Sequence, residues 1–358
     1  MADPQAPKKT LSSARPSFSV GGKDAPDLAS HLVFLVVLED VQGLYRCEVR
    51  FGNWGARDGR TDFLYFDRKT LDFGKAFQVI LGADTLFEGR IIGLEAYFPE
   101  GAPPELTVLA EDRFQDLRMT RRTRSFLDLS DSAVVSQIAN DHGLTPSINV
   151  VGQAQKVISQ VNQSDLAFLR DRMRAIDVEV WMDGNTLNAQ PRTGRGGGTL
   201  TLTYQDELRE FSVLADLAHQ RSSVAVNGWD VSSKSAIHAE SSDSTIKGEL
   251  NGDQSGANIL ASALGTRKES LTHTVPFDVA RAQAEADSFF RLAARRFVTG
   301  RGVARPDGKI RVGATVDLQR LGPLFSGKYY VSEVRHVFDG SGLFRSEFKA
   351  ERPGLGQP

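Results

Sequence analysis

Between Leu32 and Ala110 apolar and polar residues alternate in short runs, each interrupted by glycine, proline or an acidic turn. A period of two sends successive side chains to opposite faces, which suits a half-buried strand and not a helical stripe. Leu32–Leu38 and Tyr45–Phe51 are expected to meet across Asp40-Val41-Gln42-Gly43. Phe73, Lys75, Phe77, Val79 and Leu81 mark a third run, and Gly82-Ala83-Asp84 turns the chain into Thr85–Glu88. Gly89 is expected to bend it into Arg90–Tyr97, and Leu106–Ala110 follows a loop from Pro99 to Pro104. Strands this short and this closely spaced predict a small barrel or sandwich.

The period then changes. Val134, Val135, Ile138 and Ala139 share one face of a helix that Asp131 is expected to cap and His142-Gly143 to close. Leu166, Leu169, Met173 and Ile176 recur at helical steps behind a cap at Ser164. Val178, Val180 and Met182 alternate before Asp183-Gly184, a tight-turn pair leading into Thr186–Ala189. Thr199–Tyr204 and Val224–Val231 resume the strand pattern, while residues 233–275 are rich in Ser, Gly and Thr and predict an irregular insertion. The clearest helix is expected over Phe277–Val298, with Ala282, Ala286, Phe289, Ala293 and Phe297 on one stripe and Gly300 as its stop. Ile310–Leu318, Tyr329–Phe338 and Leu343–Ala350 return to strands. Pro4, Pro7, Pro16 and Pro26 stand among Lys, Ser, Ala and Gly, a composition too poor in apolar surface to offset ordering entropy.

The fold class read from this pattern is α+β, mainly β, with two β-barrel-like domains and helix-containing inserted segments. The expected organisation is a flexible N-terminal arm over 1–27, a first β-barrel domain over 28–115 and a helical and hairpin connecting domain over 116–198. A second barrel begins over 199–235, is interrupted by an insertion with the long helix over 236–300, and finishes over 301–352 before a tail at 353–358.

Chemistry is sparse in comparison. The formal charge of −2 gives no basic excess for neutralising phosphates, so nucleic acid is not expected as the primary partner. Cys47, the one cysteine, excludes an internal disulfide and sits in an alternating run, where a buried packing role is expected. Leu32–Leu38 is too short to cross a membrane and is followed by Glu39-Asp40, so neither a signal peptide nor a membrane anchor is expected. Synthesis and retention in the cytoplasm until assembly is the expected localisation. Gly194-Arg195-Gly196-Gly197-Gly198 lacks the following helix and the Gly-Lys-Ser/Thr ending of a phosphate loop, and reads as a connector. His31, His142, His219, His238, His273 and His336 show no i, i+4 metal pair. Glu95 and Glu111-Asp112 are the carboxylates one would consider for hydrolytic chemistry, but they stand in ordinary strand alternation. No catalytic, cofactor or metal residue is therefore assigned, and no enzyme activity is expected. Arg118, Arg121, Arg122 and Arg124 form the one dense basic cluster, which reads as a solvated connector, with a subunit contact as the alternative.

Two stretches resemble a known family. Gly74-Lys75-Ala76-Phe77-Gln78-Val79-Ile80-Leu81-Gly82, followed by Leu86-Phe87-Glu88-Gly89-Arg90-Ile91, is similar to the first barrel of phage late control D and VgrG-type baseplate hub proteins. Phe325 to Asp339 fits their Gly-x-Tyr-x-Val-x-x-Val-x-His-x-Phe pattern, and Leu343 to Ala350 resembles the closing strand. Gln163-Ser164-Asp165-Leu166-Ala167-Phe168-Leu169 resembles the start of the family's helix. The resemblance implies a structural, trimeric hub of a contractile phage tail or injection system, adapting a hexameric inner tube to a three-fold spike. It implies an inner tube protein, a separate spike protein and other baseplate proteins as partners, because the sequence stops soon after the closing strand. The alternatives are a tail-associated peptidoglycan hydrolase and a peripheral carbohydrate- or receptor-binding tail module. Phage and extracellular injection device are not distinguished.

Overall fold

The computed structural model describes residues 15–231, 233–272, 276–340 and 343–357. It is mainly β, with helices between and beside the strands. One thirteen-stranded sheet holds both β-rich portions. Its order in space is Leu208–Ala215, Val298–Ala304, Phe344–Arg352, Gly327–Phe338, Leu32–Asp40, Arg46–Gly52, Glu105–Glu111, Asp84–Tyr97, Ala76–Leu81, Ser17–Val20 and Lys23–Asp24. Thr315–Gln319 lies off this path, antiparallel to the start of Gly327–Phe338 and parallel to Thr199–Thr203. Among the described residues, hydrogen bonding closes neither portion into a barrel. The second portion comes nearest, its first and last strands meeting in a single bridge between Tyr204 and Leu208.

Strand Gly327–Phe338 is the seam. Its first residues pair with Thr315–Leu318; from Tyr330 onward it pairs with Phe344–Arg352 on one side, and from Glu333 onward with Leu32–Asp40 on the other. Tyr329, Val331 and Val334 pack in the core of the second portion, whereas Phe338 and Phe344 reach the core of the first, with Phe18, Phe51 and Phe77. A strand whose buried residues are divided between two cores cannot shift register without exposing its apolar set in both.

Two further cores flank the sheet. The connecting segment packs Phe126, Ile158 and the helices Asp131–Asp141 and Asp165–Arg174 against the hairpin Val178–Asp183/Thr186–Pro191. The fourth core lies where an irregular insertion was expected. Ser223–Asp230 pairs antiparallel with Ser235–Ser242 and parallel with Lys268–Leu271, and helix Val279–Ala294 covers this small sheet. The pattern was hard to read because the inward set of Ser235–Ser242 is Ile237, Ala239 and Ser241, which contrasts little with its polar neighbours.

Four further expectations are corrected. Residues 15–27 are not an arm: Ser17–Val20 pairs with Ala76–Leu81 and buries Phe18, while residues 1–14 lie outside the described residues. Gly89 does not bend the chain but lies within the continuous strand Asp84–Tyr97, where a Cβ would meet the Glu111 carbonyl and the Phe87 ring. Gly300 does not end the long helix, which stops at Ala294; it sits in strand Val298–Ala304 beneath the Phe211 ring. The cap of Asp131–Asp141 is Ser130, whose hydroxyl accepts from Ala133 N, which frees the Asp131 side chain for a junction described below.

Candidate functional site

The four cores meet through buried guanidinium groups. Arg295, 3% exposed at the end of the long helix, donates from Nη2 to Asp177 Oδ2 at 2.9 Å and to Glu249 Oε1 at 2.6 Å, and from Nε to Glu249 Oε2 at 2.8 Å. Burial works against its charge, but the two carboxylates outweigh that and raise its pKa; Glu249 is correspondingly lowered despite its own burial. This one side chain ties the long helix to the connecting segment and to the insertion.

A second cluster ties the hairpin to both β-rich portions. Glu179 accepts from Arg195 Nη1 at 2.8 Å, Arg192 Nε at 3.2 Å and the Tyr330 hydroxyl at 2.7 Å. Arg192 also reaches Glu351 at 2.6 Å and lies over the Tyr330 ring, while Arg195 donates to the Tyr45 hydroxyl and lies over Trp181. Burial pushes the Glu179 carboxyl up, yet Arg195 and Arg192 hold it below its ordinary value. Asp131 accepts from Arg172 at 2.5 Å and from Arg281 of the long helix at 3.1 Å. Glu39 pairs with Arg311, whose Nη1 also reaches the Thr85 carbonyl at 2.8 Å.

Breaking one partner of a buried pair strands the other charge, so these clusters fix the relative placement of the units even where they add little net stability. Arg forks are suited to this because each guanidinium can satisfy two carboxylates in a defined plane.

The basic cluster divides. Arg122 and Arg124 both reach the buried Asp165, Arg124 from a half-buried position and Arg122 while still partly in solvent. Asp165, 1% exposed, receives Arg124 at 2.9 Å, Arg122 at 3.3 Å, His142 at 2.8 Å and Gln160 at 2.8 Å. Burial raises its pKa, but the hydrogen bonds and the two arginines bring it below the ordinary value. Arg118 pairs with Glu111 at 2.5 Å, and Arg121 is exposed, donating to the Asn162 carbonyl at 3.0 Å. Asp112 accepts from the backbone N–H groups of Tyr45 at 2.8 Å and Phe114 at 2.9 Å, and burial pushes its carboxyl up to about 7.

The histidines are dispersed. His31 meets the Tyr65 hydroxyl, His238 meets Asn227, His219 lines a cleft of about 650 Å³ beside the long helix, and His336 is fully buried at the seam. His273 lies outside the described residues. Among the described residues no group of three or more His, Cys, Asp or Glu side chains could hold a metal ion. Cys47 is buried, and burial pushes its thiol up. The glycine-rich stretch packs Gly197 against the Ala314 backbone and leads into strand Thr199–Thr203. No helix among the described residues is long and apolar enough to cross a membrane.

The sequence pattern did not mark one surface feature. The small ribbon Trp54–Arg57/Arg60–Phe63 and the loop after Tyr97 gather Trp54, Phe63, Phe66 and Phe98 into one aromatic cluster, with ring centroids 4.9–5.6 Å apart along the chain of contacts. Trp54, Tyr97 and Phe98 are exposed. Phe63-Leu64-Tyr65-Phe66 is a continuous apolar run, which was the available signal.

The family model for the Alg8 N-terminal domain matches residues 58–339, most of the chain. The chain belongs to the Alg8 N-terminal domain family. The match spans three of the four cores almost whole and takes in Arg311 of the Glu39–Arg311 junction but not Glu39. No curated protein sequence matches this Alg8 N-terminal domain family member. Among solved structures it is similar to the 43 kDa tail protein of prophage MuSo2 from Shewanella oneidensis, with 12% identity, a TM-score of 0.68 and coverage of 95% of this chain and 98% of that one. The tail protein from Neisseria meningitidis MC58 gives 12% identity and a TM-score of 0.67, with 96% and 97% covered. The E. coli c3393 protein, a component of the type VI secretion system, gives 11% identity and a TM-score of 0.55, with 92% and 76% covered. At such identities the likeness is one of fold.

Proposed function

We propose that this chain is the hub subunit of a contractile tail or a tail-like injection system, three copies of which join a hexameric inner tube to a three-fold spike. The observation that carries the reading is the seam: two β-rich, barrel-like portions stand side by side in one sheet, locked by strand Gly327–Phe338. Three copies arranged about an axis would present six such portions, which matches a six-fold tube while keeping three-fold symmetry below. The likeness of fold to two tail proteins over nearly the whole of both chains supports the same reading. The ionic junctions suit it as well, since an adaptor between symmetries has to hold its parts at fixed angles. The partners on this reading are the inner tube protein, a separate spike protein and neighbouring baseplate proteins.

Sedimentation of the purified chain, binding to tube and spike proteins from the same cluster, and a particle reconstruction test the proposal together. Three copies on the particle axis are expected. A stable monomer with no affinity for either protein, or density at the particle periphery, would overturn it.

A further inference from the structure

Among the described residues, strands Arg121–Leu129 and Gln155–Ser164 pair with each other and with nothing else. The ribbon buries one face: Phe126, Ile158 and Gln160 point into the connecting core. Its other face carries Thr123, Ser125 and Ser159 with three exposed aliphatic residues, Leu127 at 63%, Val157 at 56% and Val161 at 64%. Leu127 and Val157 stand directly opposite each other, forming an apolar cross-strand pair that faces outward.

The edges are open too. Outside the ribbon's own ladder, the backbone of residues 121–129 and 155–161 makes no hydrogen bond to any other described residue. Side chains satisfy the end of the second strand: Asn162, at a register irregularity and with φ +47°, is met by Thr123 and Arg121, and the Gln163 carbonyl accepts from Gln160 Nε2 at 3.0 Å. Natural sheets blunt such edges with proline, short strands or dense charge; of the charges on the first strand, Arg122 and Arg124 are paired with Asp165. Here the strands run 9 and 10 residues with no proline, about 30 Å at roughly 3.3 Å per residue.

We infer that the ribbon is a β-augmentation site: it takes an extended segment of another protein as a third strand. A row of unpaired N–H and C=O groups at strand spacing is matched by another strand's backbone and by little else. The aliphatic residues add the requirement that the incoming segment be apolar at alternate positions. Exposed Arg121, bonded only to a carbonyl, calls for a carboxylate at the end of the segment that lies beside it. Another copy pairing through the identical edge would make a two-fold contact, which a closed three-fold assembly does not make; that exclusion rests on the hub reading, whereas the site itself does not, and a head-to-tail pairing of the two different edges between copies is separated by the sedimentation arm below.

The test is selection of displayed random peptides of about nine residues, the length of the ribbon strands, on the full chain, with counter-selection on the double variant Leu127→Lys, Val157→Lys. Both positions are exposed, so an unchanged melting temperature is expected for the variant. Enriched peptides should alternate apolar residues, carry a terminal carboxylate, bind the variant at least about tenfold more weakly, and slow amide exchange in 121–129 or 155–164. Failure to enrich peptides that discriminate the two proteins, or protection elsewhere, would overturn the inference. Sedimentation of the variant separates the two readings. If the variant loses self-association that the wild-type chain shows, the ribbon is a copy-to-copy contact and the inference fails. If a monomeric chain with no affinity for tube or spike protein still binds the peptides, the hub reading fails and this one stands.

Discussion

His336 offers a direct handle on the seam. Its imidazole is fully buried, with Nδ1 3.0 Å from Ser346 Oγ on one neighbouring strand and Val37 as register partner on the other. Burial, and then the charge of Arg311, pushes its pKa from 6.5 down to about 3. Below pH 6.5 the unfolded chain therefore binds a proton that the folded chain refuses until about pH 3, so acidification stabilises the unfolded state across that window and has no effect above it. Each pH unit is worth about 1.4 kcal/mol, so the loss from this one group is about 2 kcal/mol between pH 6.5 and about pH 5. Asp112 acts with the opposite sign. Its carboxyl, pushed up to about 7, takes up a proton in the folded state while the unfolded state waits until near its ordinary value of 3.8, so acidification through the same window favours folding. A wild-type pH profile mixes the two slopes, and the measurement has to be a difference. Urea unfolding of the wild-type chain and of His336→Gln, at about pH 7 and about pH 5, isolates the histidine, because every other group cancels. The variant should be less stable at neutral pH and the gap should narrow by about 2 kcal/mol at the lower pH. Parallel profiles would refute the assignment of a neutral, proton-refusing imidazole at the seam.

The other expectations concern the junctions, the close approaches and a cap. Arg295→Met leaves Asp177 and Glu249 buried without their shared cation and should cost about 3–5 kcal/mol in urea unfolding, with Arg295→Lys recovering only part because a single ammonium cannot span both carboxylates. Gly300→Ala drives a Cβ into the Phe211 ring and should cost about 1–3 kcal/mol, whereas Gly196→Ala, with no atom near the added carbon, should leave the midpoint unmoved. Ser164→Ala removes the hydroxyl that accepts from Ala167 N at 3.2 Å and should cost about 1 kcal/mol by calorimetry.

What could be read from the sequence tracks how local the cause is. The apolar run Leu32–Leu38, the cap at Ser164 and the Asp183-Gly184 turn depend on neighbours within a few residues, and each marks an element at the expected place. Gly89 and Gly300 were misread for the same reason. A glycine in a strand pattern signals either a bend or a close approach, and the distinction lies with Glu111 and Phe211, which are remote in sequence. The stripe of the long helix was nearly right. Ala282 and Ala286 are buried as expected, but in the second half Phe290 and Ala294 replace Phe289 and Ala293 as the inward residues, a shift of one position that a 3.6-residue period permits when small residues leave the face loosely defined.

The junctions were beyond sequence reasoning altogether, and the reason bears on function. Arg295 pairs with Asp177 and Glu249, and Arg192 with Glu179 and Glu351. Arginine and carboxylate are the commonest surface residues, so their positions carry no mark of burial. Had these contacts been made by leucine and phenylalanine, the four cores would read as one, and the units could have slid against one another with little loss, since apolar contact is not directional. Guanidinium forks instead hold a carboxylate in one plane and at one angle. A chain that spends its arginines in this way gains a fixed geometry between units more than it gains stability, and a fixed geometry is what the hub role proposed above would require.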